Sequence, residues 1–426
     1  MGDSKARYTF RLRTGTTASR ALDAEWDRCR WVWNQLVVES RTRHVWNEVA
    51  RSNGVSDDGL LTFGYATADR MLTRWRATHA WLAQGSSVAQ QQMVRAFDRS
   101  RTKALKDRAN KVRGRRAGMP RLKKRDRAAP TLTYTTRGFT LVTDPAGRVR
   151  LRLAGGIVLP VVWSRPLPSP PTSVTVYRDA LGHWWASFVV TVAAQPLPAA
   201  GDRTIGIDWG VTVTATTTDP AYDLSYGGHR KNAQTRLRRY QRMMARRAPA
   251  PGQKASNGYR NAKRQAAATH RQIADARRDR TRKWAKTIVR DFDQIAVENL
   301  MPGFMAGSTL AAKAADGAIS QAKHDLIHMA TKHGRDLRLV NPTWTTMDCS
   351  HCGARAKHRI PLSQRTYVCT SCGIVLPRDA NSAAIMVVRA FGPEAASAST
   401  KPDRAGLNPA CADGTRPDVP PGTQAA

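Results

Sequence analysis

Cys349-x2-Cys352 is followed, after 16 intervening residues, by Cys369-x2-Cys372, and no other pattern in the chain restricts its fold so tightly. Two such pairs at this separation match a structural zinc ribbon, in which four thiolates close a tetrahedron around one ion. Each pair sits in a Cys-x-x-Cys-Gly knuckle, where Gly353 and Gly373 give the backbone freedom that lets amides approach the sulfurs. Two disulfides would instead need an oxidising compartment, and Met1 to Gly15 has no apolar core of a secretion signal. A redox dithiol needs one pair in a βαβ setting. Structural Zn2+ is therefore the expected occupant of the four cysteines. His324, His351 and His358 are alternative ligands, expected to be bystanders beside the four cysteines. Cys29 and Cys411 fall outside the pattern, the first expected in a core and the second in a tail.

Around this module the chain is strongly basic, with 69 Lys+Arg against 32 Asp+Glu and a formal net charge of +37. At 426 residues and 41% hydrophobic content it has material for about three domains with cores of their own, so the charge is more than that of a disordered basic tail. Nor is the charge even. Arg95 to Arg127 holds 15 basic and 3 acidic residues, Arg230 to Arg290 holds 20 and 2, and together they supply 30 of the 37 charges. Two concentrated basic surfaces imply a polyanionic partner, of which nucleic acid is the commonest. The 53 arginines against 16 lysines suit bidentate phosphate contacts, although GC-rich codon usage raises the same ratio. The most apolar run, Ser187 to Ala194, falls far short of the roughly 20 residues of a membrane span. A cytoplasmic, nucleoid-associated protein without a membrane partner is expected.

Periodicity divides the chain. Arg7 to Arg13 alternates as a short strand, and a helical pattern from Thr17 carries Leu22, Trp26, Trp31, Trp33 and Leu36. A second helical stretch is expected over Thr67 to Arg113, with Met71, Leu72, Trp75, Trp81, Val88, Met93 and Phe97 as its apolar face, before a basic loop at Gly114 to Arg127. Six β-like runs follow: Thr131 to Tyr134, Gly138 to Val142, Val149 to Leu153, Ile157 to Val162, Thr172 to Arg178 and Trp184 to Val192. Such spacing suggests a small barrel that Arg7 to Arg13 joins, with the helical block inserted. Beyond a linker near Gln195 to Gly201 come two strand-like runs, two long basic helices broken at Ala248 to Gly258, a strand at Gln294 to Glu298 and a helix near Ala311 to His333.

Three acids stand out in this basic chain. Asp208 lies in the apolar strand TIGIDWG, Glu298 ends IAVENL, and Asp379 opens the helical RDANSAAIM. Burying a carboxylate is costly unless it is paired or bound to metal. Taken singly, a helix cap or a strand-end ion pair accounts for each; taken together, they are the hard oxygen ligands that two-metal phosphodiester hydrolysis requires around ions about 4 Å apart.

The order Gly-Ile-Asp-x-Gly at Gly206 to Gly210, aromatic-Asp-x-Ile-x-Val-Glu-x-Leu at Phe292 to Leu300, the cysteine ribbon, then Arg-Asp-x-Asn-x-Ala-Ala at Arg378 to Ala384 resembles the transposon-encoded TnpB nucleases and the compact type V CRISPR effectors. The opening YTFRLRTG and the basic Gly-x-Pro-Arg-Leu-Lys-Lys at Gly118 to Lys124 occur in the family's order, so the resemblance spans about Tyr8 to Phe391. It implies a multidomain α+β protein. A wedge-like β-barrel would occupy 1–16 and 129–198, with a helical recognition insertion at 17–128. A split, RNase H-like RuvC nuclease domain would occupy 199–345 and 376–392, its basic helices at 229–290, and would be interrupted by the zinc ribbon or target-binding module at 346–375. A disordered tail would fill 393–426.

The implied activity is RNA-guided DNA cleavage. Asp208 would bridge two Mg2+ ions, with Glu298 and Asp379 completing one each. Arg365, in Arg-x-aromatic-x-Cys, is a candidate for neutralising the reacting phosphate, its plain alternative being a solvated ribbon residue. Candidate phosphate contacts are Arg115, Arg116, Arg121, Lys123 and Lys124 in one basic segment, and Arg236, Arg239, Arg271, Arg278, Arg282 and Lys283 in the other. The partners would be a guide RNA, a double-stranded DNA target and its displaced single strand, bound by a monomer or a homodimer. A DNA binder that blocks its target without cutting is the rival reading. An actin-like sugar kinase shares Asp-x-Gly but carries it at its N-terminus, whereas about 200 residues precede Asp208 here. A junction resolvase shares the nuclease core but has no use for the N-terminal half.

Overall fold

A computed structural model describes residues 4–110, 116–250, 252–301, 308–361 and 363–399. They form two compact units. One gathers the residues up to Ala193 and a short stretch ending at Ala268, the other Ala194 to Ala250 and the residues from Thr269 onward.

The first unit opens with strand β1 (Ser4–Leu12) and the 37-residue helix α1 (Thr16–Ser52). Leu22, Trp26, Cys29, Trp33 and Leu36 recur at helical spacing and are all buried. The single second helix expected over 67–113 is in fact three, α2 (Tyr65–Thr78), α3 (Ala80–Ala83) and α4 (Ser87–Ala109). The break at His79, whose backbone is extended, and at Gln84 to Ser86 is held by polar side chains. Arg76 donates to the Leu82, Ala83 and Gly85 carbonyls, and the buried Glu25 accepts from the Ser86 amide at 2.9 Å. These contacts satisfy the orphaned carbonyls and amides of the helix ends. Trp81, expected in the core, is 41% exposed and packs edge-on against Trp31 at 5.5 Å.

Strands β2 (Thr131–Thr135), β3 (Phe139–Thr143), β4 (Val149–Leu153), β5 (Ile157–Val162), β6 (Ser173–Arg178) and β7 (Trp184–Val192) join β1 in one antiparallel sheet of order β2-β6-β7-β1-β5-β4-β3. The edge strands β2 and β3 are separated in sequence only by the short turn Thr136–Gly138. Three residues cannot cross a flat seven-stranded sheet, so the sheet curls until its edges meet that turn, making a nearly closed barrel. Phe10, Tyr134, Leu151, Leu159, Val176 and Phe188 fill the interior.

The second unit is mixed. Strands β8 (Thr204–Trp209), β9 (Val213–Thr217) and β10 (Leu224–Ser225) form a meander, and α5 (His229–Asn232), α6 (Gln234–Arg246) and α7 (Asn257–Asp291) follow. Next come β11 (Gln294–Glu298), α8 (Ala311–Gly317), α9 (Ile319–His333) and β12 (Asp336–Val340). The helix expected at 311–333 is broken at Ala318, whose φ of +59° is left-handed. The sheet order is β10-β9-β8-β11-β12, with β11 parallel to both β8 and β12. Ile205, Ile207, Ile295 and Val297 bury one face of it against Trp284, Ile288 and Phe292. The ribbon hairpin β13 (Thr366–Val368) and β14 (Val375–Pro377) leads directly into α10 (Arg378–Phe391). Residues 393–399, expected to open a disordered tail, instead form helix α11 (Pro393–Ser399) with Ala396 buried; the rest of that tail, Cys411 included, lies outside the described residues. Among the described residues no helix is long and apolar enough to cross a membrane.

Candidate active site and metal centre

The parallel register pairs Ile207 with Val297, so Asp208 and Glu298 stand one step further along adjacent strands. Trp209 fixes the second acid: its amide donates to Glu298 Oε2 at 3.3 Å and its indole Nε1 to the Glu298 carbonyl at 3.0 Å. Asp379 arrives from the first turn of α10. That helix approaches β8 so closely that a Cβ on Gly206 would lie 2.0 Å from the Ala383 carbonyl oxygen. Gly206 of the Gly-Ile-Asp motif is therefore a space requirement.

Glu298 and Asp379 lie close enough to oppose the ionisation of Asp208. Burial, then the charges of Glu298 and Asp379, push the Asp208 carboxyl well above the usual carboxylate range, while Arg378 pulls it back. By surface area Asp208 is only half-buried, but the protein packed around the carboxyl strips its hydration. Glu298 is also raised by burial, and is restrained by the Trp209 amide and by Lys323. Asp208 and Glu298 approach closely enough to share a side-chain hydrogen bond. Among the described residues the four cysteines form the one group of three or more His, Cys, Asp or Glu side chains whose ligand atoms all lie within 4.8 Å of one another.

Several neighbours escape a reading by motif. Lys323 Nζ donates to Asn299 Oδ1 at 2.6 Å and to the Leu300 carbonyl at 3.2 Å, beside Glu298. Arg378 is buried, with Nη2 3.3 Å from Asp379 Oδ1 and Nη1 donating to the Pro361 and Gln364 carbonyls. Its position next to Asp379 was the only signal, and in so basic a chain it reads as one more surface arginine. Arg365 does reach the site, its Nη1 3.7 Å from Asp379 Oδ2.

The cysteines converge. Cys349 and Cys372 Sγ lie 3.8 Å apart, and Cys352 and Cys369 Sγ 3.6 Å. Tetrahedral zinc with bonds of about 2.3 Å sets sulfurs about 3.8 Å apart, so the set fits zinc, and a disulfide would need about 2 Å. The Cys372 amide helps draw the Cys369 thiol down to about 6, toward the thiolate a metal needs. Asn381, fully buried, ties this centre to α10: Nδ2 donates to the Asp348 carbonyl at 2.8 Å, and Oδ1 accepts from the Ser350 amide at 3.0 Å. Asp379 and the ribbon thus hang on one helix turn.

The basic candidates divide. Arg116, Arg121, Lys124, Arg236, Arg239, Arg278, Arg282 and Lys283 are exposed. Lys123 is half-buried, its Nζ 4.0 Å above the Trp33 ring, and burial lowers its pKa. Arg271 is bonded to Asp275 at 2.8 Å and Lys283 paired with Asp279 at 2.7 Å. Arg115 lies outside the described residues.

A nearly closed barrel is thus followed by a mixed sheet with converging acids and a four-cysteine hairpin. Residues 187–309 match the OrfB_IS605 family model, described as "Probable transposase", and residues 320–386 match the "Cas12f1-like, TNB domain" model. A protein of Streptomyces pristinaespiralis named "Putative RNA-guided DNA endonuclease" is 27% identical over 410 residues, 95% of this chain and 94% of that one. Its counterpart InsQ of Escherichia coli is 25% identical over 399 residues, covering 88% and 90%. The protein chain in a cryo-EM structure of a Cas12f1–sgRNA–target DNA complex shares the fold, with a TM-score of 0.55 at 12% identity over 89% of this chain and 98% of that one. Family models, relatives and fold all point the same way: the chain is similar to the TnpB proteins and the compact type V effectors.

Proposed function

We propose that this protein is an RNA-guided DNA endonuclease that binds a guide RNA, recognises a short motif beside a complementary DNA target and cuts phosphodiester bonds at one RuvC-like site. The observation that carries the reading is the convergence of Asp208, Glu298 and Asp379 from two parallel strands and a helix start into one electrostatically coupled set. Relatives named as RNA-guided DNA endonucleases align over nearly the whole chain, and a chain of the same fold is held with guide RNA and target DNA. The barrel at 1–16 and 129–198 is assigned the wedge role, 17–128 recognition, 199–345 with 376–392 the RuvC-like nuclease, and 346–375 the zinc ribbon. The strand order β10-β9-β8-β11-β12 supports the RNase H-like assignment.

Two Mg2+ ions held by the three carboxylates would polarise the phosphate, lower the pKa of the attacking water and stabilise the leaving oxygen. Asp208, whose ionisation both other acids oppose, would hold the metal together with Glu298 and Asp379. Trp209 and Lys323 keep Glu298 aimed, and Arg378, next to Asp379, donates to the Pro361 and Gln364 carbonyls. Arg365, half-exposed and 3.7 Å from Asp379, is the candidate for neutralising charge on the reacting phosphate.

Asp208→Ala should abolish Mg2+-dependent cutting of a guide-matched DNA while guide RNA and DNA remain bound. Wild-type-like cleavage by that variant overturns the assignment. Binding without any nicking by the wild type would establish the rival role of a blocking DNA binder. Sequencing RNA that copurifies with the protein tests the guide, and recovery of no discrete species counts against it.

A further inference from the structure

Trp344, between β12 and the first zinc knuckle, is the residue left unexplained. It adopts φ +66°, in the left-handed region that favours glycine, and its indole is 49% exposed. A bulky side chain held there costs about 1–3 kcal/mol and persists only where the surroundings impose it. The surroundings do impose it. Thr345 is buried, its carbonyl accepts from Ser382 Oγ at 3.4 Å, and Arg389 donates to the Asn341 and Thr343 carbonyls at 3.0 and 2.7 Å. Met347 and Asp348 amides both bond back to the Trp344 carbonyl, at 2.9 and 3.0 Å. The loop is fixed while its largest apolar side chain faces solvent, an arrangement that folding alone does not call for.

The indole is also furnished with charge. The Arg355 guanidinium lies 5.1 Å from the ring centroid and is held there by Asp348, bonded at 2.6 Å. Asp348 is anchored in turn by Arg389 at 2.7 Å, and its carbonyl by Asn381, two residues after Asp379. A half-exposed aromatic ring on a fixed loop, with a held cation over it and a bonded path to the turn that carries Asp379, matches the surface on which an unpaired base stacks while its phosphate meets an arginine.

We propose that Trp344 and Arg355 form a stacking platform for a nucleobase of single-stranded DNA, positioning that strand beside the carboxylate site. The proposal rests on the nuclease reading above for the identity of the strand. Trp344 here is a positioning residue, since it contacts a base remote from the reacting phosphorus.

The test uses the full-length protein carrying Asp208→Ala, so that DNA survives, with fluorescently labelled single-stranded DNA read by anisotropy over a range of salt. Trp344→Ala and Trp344→Gly should each weaken binding about ten-fold. Trp344→Phe should stay within about three-fold of the parent, and no Trp344 variant should change the salt slope, because no charge is lost. DNA bearing 5-iododeoxyuridine, irradiated and digested, should yield an adduct at Trp344. Trp344→Gly relieves the backbone, so a merely structural role predicts equal or higher thermal stability with unchanged affinity, and that outcome overturns the proposal. Adducts mapping only elsewhere overturn it as well. Wild-type cleavage of a guide-matched duplex is scored separately: its absence rejects the nuclease reading, whereas cutting with no effect of Trp344 on binding rejects the platform alone.

Discussion

Gly206 and Ala383 approach so closely that a single added carbon on the strand residue would meet the helix carbonyl at 2.0 Å. The contact sets the distance between β8, which carries Asp208, and α10, which carries Asp379. Gly206→Ala has nowhere to relax, because the atom in its way is backbone, and overpacking of this kind costs about 1–3 kcal/mol or more. We expect a lower urea midpoint with an unchanged slope, and cleavage reduced more than that loss of stability explains. An unchanged midpoint and full cleavage would mean that the helix can slide.

Asp208 predicts a pH dependence. Its carboxyl is raised in the folded chain by burial and by the neighbouring acids, so folding favours its protonated form. The stability it contributes is fully present below the unfolded carboxylate value of about 3.9 and is lost as pH rises through the higher folded value. In metal-free protein, Asp208→Asn should therefore raise the melting temperature relative to wild type, by an amount that grows as pH climbs above about 4. Mg2+ binding should release protons and tighten with pH. Calorimetry in buffers of different ionisation enthalpy measures that release, and a pH-independent affinity would contradict the proton held at Asp208.

Asn381 links ribbon and acid. Removing its fully buried amide strands the Asp348 carbonyl and the Ser350 amide, at about 1–3 kcal/mol each. Asn381→Ala should keep one zinc per chain by elemental analysis yet lose cleavage, whereas Cys349→Ser should lose the zinc as well. If Asn381→Ala cuts at the wild-type rate, the ribbon does not help to position Asp379.

Lys123 separates charge from contact. Its ammonium rests on Trp33 and its backbone is held by Asn34. Lys123→Met should lower stability by about 0.5–2 kcal/mol and leave the salt slope of RNA binding nearly unchanged. Arg121→Ala, at an exposed position of the same loop, should flatten that slope by about one phosphate contact. A reversed result would place Lys123 on the nucleic acid.

Strands with a plain alternation or an apolar run are legible in the amino-acid pattern alone: β4, β5 and β7 coincide with the runs Val149 to Leu153, Ile157 to Val162 and Trp184 to Val192. Strand β10 is not, because two residues carry no period, and β12 escapes because three of its five residues are exposed at the sheet edge. The helix breaks at His79 and Ala318 are invisible in the sequence for a different reason. Neither residue is a breaker, and tertiary hydrogen bonds or a left-handed turn impose the break.

Ligand chemistry is written in the sequence. Cysteine spacing marks the four thiols that converge, and isolated acids in apolar strands mark Asp208, Glu298 and Asp379 as candidate ligands, because residue type and local spacing are what metal chemistry selects. Their supporting cast is decided only in three dimensions. Arg378, Lys323 and Asn381 are polar residues whose burial and partners depend on segments distant in the chain. In a chain of net charge +37, an arginine buried beside an acid and an arginine awaiting a phosphate are spelled alike. Only the packing that removes water from one and leaves it on the other tells them apart.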